Sequence, residues 1–555
     1  MKVGLGTIWE AVADVMADEV GLVEPGRRFT IGEHERRAAR LAAGLAAMGV
    51  GPGDRVALYI PNSATYLEAL FAALKLGAIP VNVNYRYGAT ELIALLRDCE
   101  ASALVYPLEL EAHAALALAS VGSLRVVVRV GAPASTPLPA QPVVDVEGLI
   151  DAYEPRARQP RPGTDRLFVY TGGTTGLPKG VVWQQQDLIH VLAVPLYGYL
   201  GLSVPRTLEE AVAAAVSSRE QGRARVTMAV VPLMHATGLF FTIGTMLLGG
   251  KSVLTGGKLD PRAVWRGVAA EQVDTLIMAG NAVAAPLVDA LEEAEQAGQP
   301  YELSSVDRVV SSGAVLSDQV KLELHKRASL TIIDTLGASE GGPFAFAVTT
   351  SVEDLPSRFV PAAGTSVLRE DGTAIEKGGV GVGVLAYTGA IPLGYHDDPE
   401  RSAKTFPTLN GVRYTVPGDL AELLADGSIR LLGRRSGVIN SGGEKVHPQE
   451  VENVLLTHPS VRDVIVVGVP DPRWGEQVGA VVSAEPGHAL DARVVSTQVR
   501  AHLAGYKVPR VVAVVPEVRR TNTGKPDLAW ARLALEAAKA ATATDLIADG
   551  PDKEN

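Results

Sequence analysis

The chain has one cysteine, Cys99, in 555 residues. A lone thiol with no metal-ligand neighbours excludes an internal disulfide framework and fits a reducing compartment, with a buried structural role as the plain reading. A surplus of positive charge is also missing. With 62 acidic against 51 basic residues and a net charge of −11, nothing in the sequence resembles a nucleic-acid footprint, so any anionic substrate must be met by local basic groups. The opening Met1-Lys-Val-Gly-Leu-Gly-Thr-Ile-Trp-Glu10 has too few apolar residues for a secretory leader, and the expected location is the cytoplasm. A membrane-spanning helix is not expected either. Thr227–Gly250 is free of Asp, Glu, Lys and Arg, but Pro232, His235 and several glycines divide it into a buried strand, a turn and a core helix.

What the chain does have is a glycine- and threonine-rich loop, Tyr170-Thr-Gly-Gly-Thr-Thr-Gly-Leu-Pro-Lys-Gly180, between two short apolar runs. Gly172, Gly173 and Gly176 permit backbone angles that aim successive N–H groups at phosphate oxygens, Thr171, Thr174 and Thr175 add hydroxyl donors, and Lys179 adds a cation. The Walker spacing is absent, because Leu-Pro separates Gly176 from Lys179. A plain surface turn is the alternative for this loop taken alone.

Apolar runs alternate with helical patterns, as in Asp54–Ile60, Ser63–Leu76 and Ala78–Val83, which is the pattern of an α/β fold. Thr30 and Glu33 stand at capping-box spacing ahead of an apolar stripe at Ala38, Leu41, Ala42 and Leu45. The length exceeds what one core supports. The expectation is a large N-terminal domain of α/β subdomains over residues 1–434, including a glycine-rich β subdomain after residue 361. A hinge at 435–437, a small α+β domain at 438–541 and a disordered tail at 542–555 complete it.

Further segments follow the loop in order: Pro232-Leu-Met-His-Ala-Thr-Gly238, Ser311-Ser-Gly-Ala314, Leu336-Gly-Ala-Ser-Glu340 and Gly394-Tyr-His-Asp-Asp398. Then come Tyr414-Thr-Val-Pro-Gly-Asp419, Gly433-Arg434, Ser441-Gly-Gly-Glu-Lys445 and Asn522-Thr-Gly-Lys525. Together they resemble the core motifs of the adenylate-forming superfamily of acyl-CoA synthetases, luciferases and adenylation domains, and the resemblance spans nearly the whole chain. It implies ATP, Mg²⁺ and CoA as reaction partners. A carboxylate is a poor acyl donor, so it attacks the α-phosphorus of ATP, pyrophosphate leaves, and a thiol then displaces AMP from the acyl-adenylate. Both steps build negative charge on phosphate oxygens, which fixed donors and cations must offset.

Carried over position by position, the resemblance makes Lys525 the cation of the adenylation step and Glu340 the magnesium-binding acid, with the Ser339 hydroxyl on a phosphate. Asp419 would hold the ribose hydroxyls and Arg434 would contact the same nucleotide. Gly313, Ala314, Leu336 and Gly337 would flank adenine, although Leu336 stands where relatives often have an aromatic ring. His235 would gate thiol access, with Gly238, Asn281 and Gly337 lining the acyl site, and Gly442, Gly443 and Glu444 would present backbone to the pantetheine arm. Lys445, Lys507 and Arg510 are candidates for the CoA phosphates. Each has a plain alternative: Lys525 a solvated lysine, Glu340 a helix-start acid, Asp419 and Arg434 surface ion-pair members, His235 a satisfied core histidine. Ser436 replaces the usual Asp or Lys of the hinge, a permissive change beside Gly437.

The segments Asn82–Arg86, Val182-Trp183 and Ile439–Lys445 are most similar to a bacterial branch that includes ligases for steroid side-chain acids. This implies a bulky hydrophobic acid, steroid-, terpenoid- or fatty-acid-like. Gly280-Asn-Ala-Val-Ala-Ala-Pro286 lacks the acidic, aromatic and basic groups of that branch, which widens the expected pocket. Two other functions are alternatives: an enzyme that stops at acyl-AMP or passes the acyl group to a carrier protein or partner enzyme, which shares every ATP motif, and a non-catalytic nucleotide- or acyl-binding relative, which would need a lesion in the motifs where Lys525, Glu340 and Asp419 are all present.

Overall fold

Helix Ala64–Leu76 is buried at every position, and the larger part of the chain is built around it. It is apolar on all sides, as a helix without a solvent face must be. Ser63 caps its start by accepting from Tyr66 N at 3.2 Å, and Gly77, at φ +67°, ends it in a left-handed turn. Its two charges are matched: Glu68 accepts from Arg37 Nε at 2.6 Å, while Lys75 donates to Glu10 at 2.7 Å and also to Glu35. Buried charge left without such partners would be strongly destabilising.

The computed structural model describes residues 2–131, 143–171, 178–376, 378–434, 437–441, 444–471, 475–521 and 525–548. The chain forms two compact units, one of residues 1–357 with 387–415 and one of 358–386 with 416–555. The first unit contains two mainly parallel sheets. In one, Ile79–Asn82, Arg55–Leu58, Ala103–Pro107, Val126–Val130 and Val143–Asp145 run parallel in that order. Arg166–Thr171 lies parallel beside Ile79–Asn82, Lys179–Gln184 folds back on it, and Gly394–Tyr395 pairs with that returning strand. In the other, Val20–Glu24, Lys251–Leu254, Val226–Ala229, Thr275–Met278, Arg308–Ser312 and Thr331–Ala338 run parallel, with Gly341–Thr349 antiparallel beside the last. The main core takes residues from both sheets and from helices Leu5–Val15, Ile31–Ala47, Ala64–Leu76 and Ala236–Leu247.

The capping box at Thr30 and Glu33 is formed, with both reciprocal bonds at 3.0 Å. Thr227–Gly250 folds as a buried strand end, a turn and helix Ala236–Leu247, and no helix among the described residues is long and apolar enough to cross a membrane. Cys99 is buried, which pushes its thiol up to about 12.

The second unit holds two sheets. One joins Thr365–Leu368, Asp419–Leu423, Ile429–Arg434 and all but the last residue of Gly381–Tyr387. The other orders Glu444–Val446, Ile439–Ser441, Gly475–Ala484 and Val461–Asp471, with Val511–Val515 parallel to Gly475–Ala484. The glycine-rich β strands thus belong with the C-terminal residues, since strand Ile429–Arg434 packs on helix Pro448–Leu455. Helix Leu528–Ala548 runs past the end expected at 541, because its alanine-rich sequence keeps helical propensity high. Residues 549–555 lie outside the described residues.

Glu452, in helix Pro448–Leu455, accepts from Val466 N at 2.8 Å, and burial raises its carboxyl to about 7 from 4.5. The folded state therefore holds this proton more tightly than the unfolded state, and stability falls as pH rises between those values. Glu452→Gln, which stays neutral and keeps the acceptor, should flatten that slope, removing on the order of 3 kcal/mol of pH-dependent stability. Denaturant titrations near pH 4.5 and above pH 7 measure it; an unchanged slope in the variant would contradict the assignment.

Candidate active site

In parallel α/β sheets, ligands gather beyond the carboxyl ends of the strands, where backbone leaves the ladder and side chains are free to converge. Most of the motif residues of the first unit lie at such ends. Thr171 closes strand Arg166–Thr171 and pairs with Lys179, the first residue of the returning strand. Gly172, Gly173, Thr174 and Thr175, between them, lie outside the described residues.

Lys179 reaches Asp398 with Nζ–Oδ2 3.2 Å. Asp398 also accepts from Arg401 N at 3.0 Å as the cap of helix Pro399–Thr405. That backbone bond first, and Lys179 second, hold its carboxyl below the usual carboxylate range. The Gly394–Asp398 motif is itself tied to the phosphate-loop hairpin: Tyr395 pairs with Val181, and His396 N donates to Gly180 O at 2.8 Å. Gly180 is glycine for a steric reason, since a Cβ there would come within 2.6 Å of the Tyr170 ring.

Glu340 lies in the turn between strands Thr331–Ala338 and Gly341–Thr349. Tyr395 Oη donates to its Oε1 at 2.7 Å, and Thr415 Oγ1 donates to its carbonyl at 2.7 Å. The preceding Ser339 carbonyl accepts from Trp183 Nε1 at 3.0 Å. Three side chains thus fix this turn. Burial, with the neighbouring carboxylate, raises the Tyr395 phenol well above its ordinary value, so it remains a donor at neutral pH.

Gly313 follows strand Arg308–Ser312 at φ +87°, a conformation open to glycine, and Ala314 comes next. This loop is held by Asn281, whose Oδ1 accepts from Ser317 N at 2.9 Å and whose Nδ2 donates to Ser317 Oγ at 3.1 Å. Gly280 makes room for it, because a Cβ there would meet Val315 O at 2.5 Å. Leu336 and Gly337 lie in strand Thr331–Ala338, and a Cβ on Gly337 would stand 3.8 Å from Ser312 Oγ. His235 is the residue before helix Ala236–Leu247, its N–H closing a turn onto Pro232 O at 3.1 Å. Gly238 packs on the same turn, where a Cβ would approach Pro232 O to 2.6 Å.

The remaining candidates belong to the second unit. Asp419 begins strand Asp419–Leu423 opposite Arg434 in register. Glu444 is exposed at the start of Glu444–Val446, while Gly442, Gly443 and Ser436 lie outside the described residues. The Lys525 carbonyl accepts from Thr521 N at 2.7 Å, and residues 522–524 lie outside the described residues. Lys507 is engaged with Glu450 at 2.5 Å.

Two profiles match the sequence: that of AMP-binding enzymes over residues 9–390 and that of the AMP-binding enzyme C-terminal domain over 450–525. The chain belongs to the AMP-binding enzyme family. This AMP-binding enzyme is 36% identical over 538 residues to the 3-oxocholest-4-en-26-oate CoA ligase of Rhodococcus rhodochrous, covering 96% of each chain. It is 33% identical over 506 residues to a feruloyl-CoA synthase of Amycolatopsis, covering 90% of this chain and 92% of that one. Its fold matches the crystal structure of an anthranilate CoA ligase in complex with anthranoyl-AMP with a TM-score of 0.82, at 24% identity over 97% of this chain and 98% of the other.

Asn82, Trp183, Tyr395 and Asp398 stand inside the resembling segments with no role assigned by them, and no motif covers Asn62 or Tyr66. The signal for Asn82 was an amide inside the apolar run Ile79–Val83, which demands buried partners. Its Oδ1 accepts from Tyr170 N at 2.7 Å; its Nδ2 donates to Tyr170 O at 3.1 Å and to Met234 O. Asn62 Oδ1 accepts from Leu233 N at 2.7 Å, its Nδ2 donates to Val231 O at 3.2 Å, and Tyr66 Oη donates to Leu233 O at 3.2 Å. Asn82 joins the phosphate-loop strand to the His235 turn, and Asn62 and Tyr66 hold the same turn. Asn82→Ala strands three buried backbone groups, so an expected loss of about 3 kcal/mol follows. Urea unfolding measures it, and a loss below about 1 kcal/mol would show that the staple carries little.

Proposed function

We propose that this enzyme is an ATP-dependent, AMP-forming acyl-CoA synthetase that activates a bulky hydrophobic carboxylic acid as its adenylate and transfers the acyl group to CoA. The reading is supported by Lys179 standing opposite Thr171 at the end of strand Arg166–Thr171, by Glu340 and the Gly313–Ala314 loop following strands Thr331–Ala338 and Arg308–Ser312, and by a match to a CoA ligase over 96% of each chain. The acid is taken to be steroid-, terpenoid- or fatty-acid-like, in keeping with a relative named for a steroid side-chain acid and others named for medium- and long-chain fatty acids.

In this reading Lys179 and the loop before it bind the phosphates, and Asp398 sets the resting position of the Lys179 ammonium. Glu340 suits Mg²⁺: it is a hard oxygen donor oriented by Tyr395 at 2.7 Å, and among the described residues no cluster of three ligating side chains could hold a metal by itself. One carboxylate completed by phosphate oxygens and water is the ordinary way this ion is held. The ion would supply charge neutralisation on the phosphate oxygens. Lys525 serves the adenylation step and Asp419 the ribose. Residues 435–437 act as the hinge that lets Glu444 and its neighbouring glycines serve the thiol step. Reaction in the cytoplasm agrees with the buried, lone Cys99.

The test is pyrophosphate release with ATP, Mg²⁺ and a panel of fatty, aromatic, steroid and diterpenoid acids, with and without CoA, with products identified by mass. Acyl-CoA is expected; adenylate that accumulates despite CoA would move the acyl group to another acceptor. Lys525→Ala should lower adenylate formation about 100-fold while leaving thioester formation from supplied acyl-adenylate largely intact. Equal loss of both half-reactions would show that Lys525 has no role specific to adenylation.

A further inference from the structure

The surroundings of Glu340 set which of its oxygens can meet a cation. The residue is half-buried in the turn between strands Thr331–Ala338 and Gly341–Thr349, and no lysine, arginine or histidine among the described residues forms an ion pair with it. A carboxylate partly withdrawn from water with no cation beside it is stabilised by one that arrives. The backbone of the turn is held at two carbonyls, that of Ser339 by Trp183 Nε1 at 3.0 Å and that of Glu340 by Thr415 Oγ1 at 2.7 Å. The carboxylate is held through Oε1, which accepts from Tyr395 Oη at 2.7 Å, and among the described residues nothing donates to Oε2.

Tyr395 is itself a stiff donor. It pairs with Val181 of the returning strand, and its N–H donates to Ser402 Oγ at 2.8 Å. Its ring centroid lies 5.7 Å from that of Phe406, and the Arg401 guanidinium stands over it at 6.0 Å. Backbone pairing on one side and ring contacts on the other keep the phenol where it is, so the carboxylate that accepts from it cannot turn freely.

That bond makes the two carboxylate oxygens unequal. Mg²⁺ demands a near-ideal octahedron of oxygens at about 2.0–2.1 Å, which a single carboxylate oxygen fits, whereas Ca²⁺ readily takes both oxygens of one carboxylate at about 2.3–2.6 Å. A carboxylate whose Oε1 is committed to a phenol offers Oε2 as a single ligand and resists the two-oxygen clamp.

We infer that Tyr395 is a positioning residue that confines Glu340 to one metal-facing oxygen and thereby selects Mg²⁺ over Ca²⁺ at the phosphates of ATP. This rests on the acyl-CoA synthetase reading above, in which Glu340 is the magnesium acid. The phenol acts through Glu340 alone and needs no contact with ATP.

The experiment measures ATP binding to the full chain by calorimetry, with no carboxylic acid and no CoA, at saturating Mg²⁺ and at saturating Ca²⁺. Wild type, Tyr395→Phe and Trp183→Phe are compared. Wild type should bind ATP about tenfold or more tightly with Mg²⁺ than with Ca²⁺, and Tyr395→Phe should bring the two within about threefold, chiefly by tightening the Ca²⁺ complex, the scale of one hydrogen bond to a charged group. Trp183→Phe frees the Ser339 carbonyl but leaves the phenol on Oε1, so it should keep the wild-type ratio even where both affinities fall. A ratio unchanged in Tyr395→Phe overturns the inference. So does a ratio lost equally in Trp183→Phe, which would assign the effect to the turn as a whole, and so does a wild type with no Mg²⁺ preference. Because no acid enters the measurement, each of these failures leaves the synthetase reading to the product assay above. Wild-type metal dependence in Glu340→Gln would instead remove the metal role of Glu340 from that reading, and this inference with it.

Discussion

Asn62 and Tyr66, in the loop and helix that follow strand Arg55–Leu58, and Asn82, at the end of strand Ile79–Asn82, take hold of the backbone between Val231 and Met234 beyond a strand of the other sheet, and the site of the first unit depends on that capture. Backbone that leaves a parallel strand has lost its ladder partners, and in the interior those groups must find others. Here they find amides and a phenol on neighbouring elements. Asn82 also binds both backbone groups of Tyr170, so the strand entering the phosphate loop and the turn preceding His235 are held at one residue. Neither sheet alone could fix that relation.

The same economy recurs around Glu340 and Gly313. Trp183, Thr415 and Tyr395 approach the Ser339–Glu340 turn from three different parts of the chain, and each makes one hydrogen bond. Asn281 holds the loop after Gly313 through paired bonds to Ser317, and Gly280 has no side chain because that loop passes too close for one. Asn281 therefore acts on the loop it supports, a role that its place in an acyl-wall motif did not reveal. Glycines at 180, 238 and 280 serve packing at close approach, distinct from the left-handed turn that Gly313 supplies.

Buried charge follows a different rule from buried amides. Lys75 with Glu10 and Glu35, and Arg37 with Glu68, sit inside the core only because each charge meets its opposite there. Such clusters hold helices Leu5–Val15, Ile31–Ala47 and Ala64–Leu76 in register. They leave the strand ends free for chemistry that needs exposed or half-buried cations such as Lys179.

Local pattern was enough to read the α/β class, the capping box at Thr30, the division of the uncharged 227–250 segment and the order of the motifs. Each of these depends on residues close in sequence, through periodicity, capping and backbone permissiveness. The motif residues were also legible individually, because glycines, hydroxyls and paired cations near phosphate are demanded by the chemistry. Tertiary structure alone decided which of them meet and what holds them. Tyr395 beside Glu340, Asp398 beside Lys179 and Asn82 across to Met234 join residues far apart in the chain, and no local spacing encodes such pairings. The extent of the last helix and the grouping of the glycine-rich strands were likewise set by propensity and packing acting beyond the segments that first marked them. Burial explains this division: a polar side chain declares its type in sequence, but its partner is chosen only when both lose water in the folded interior.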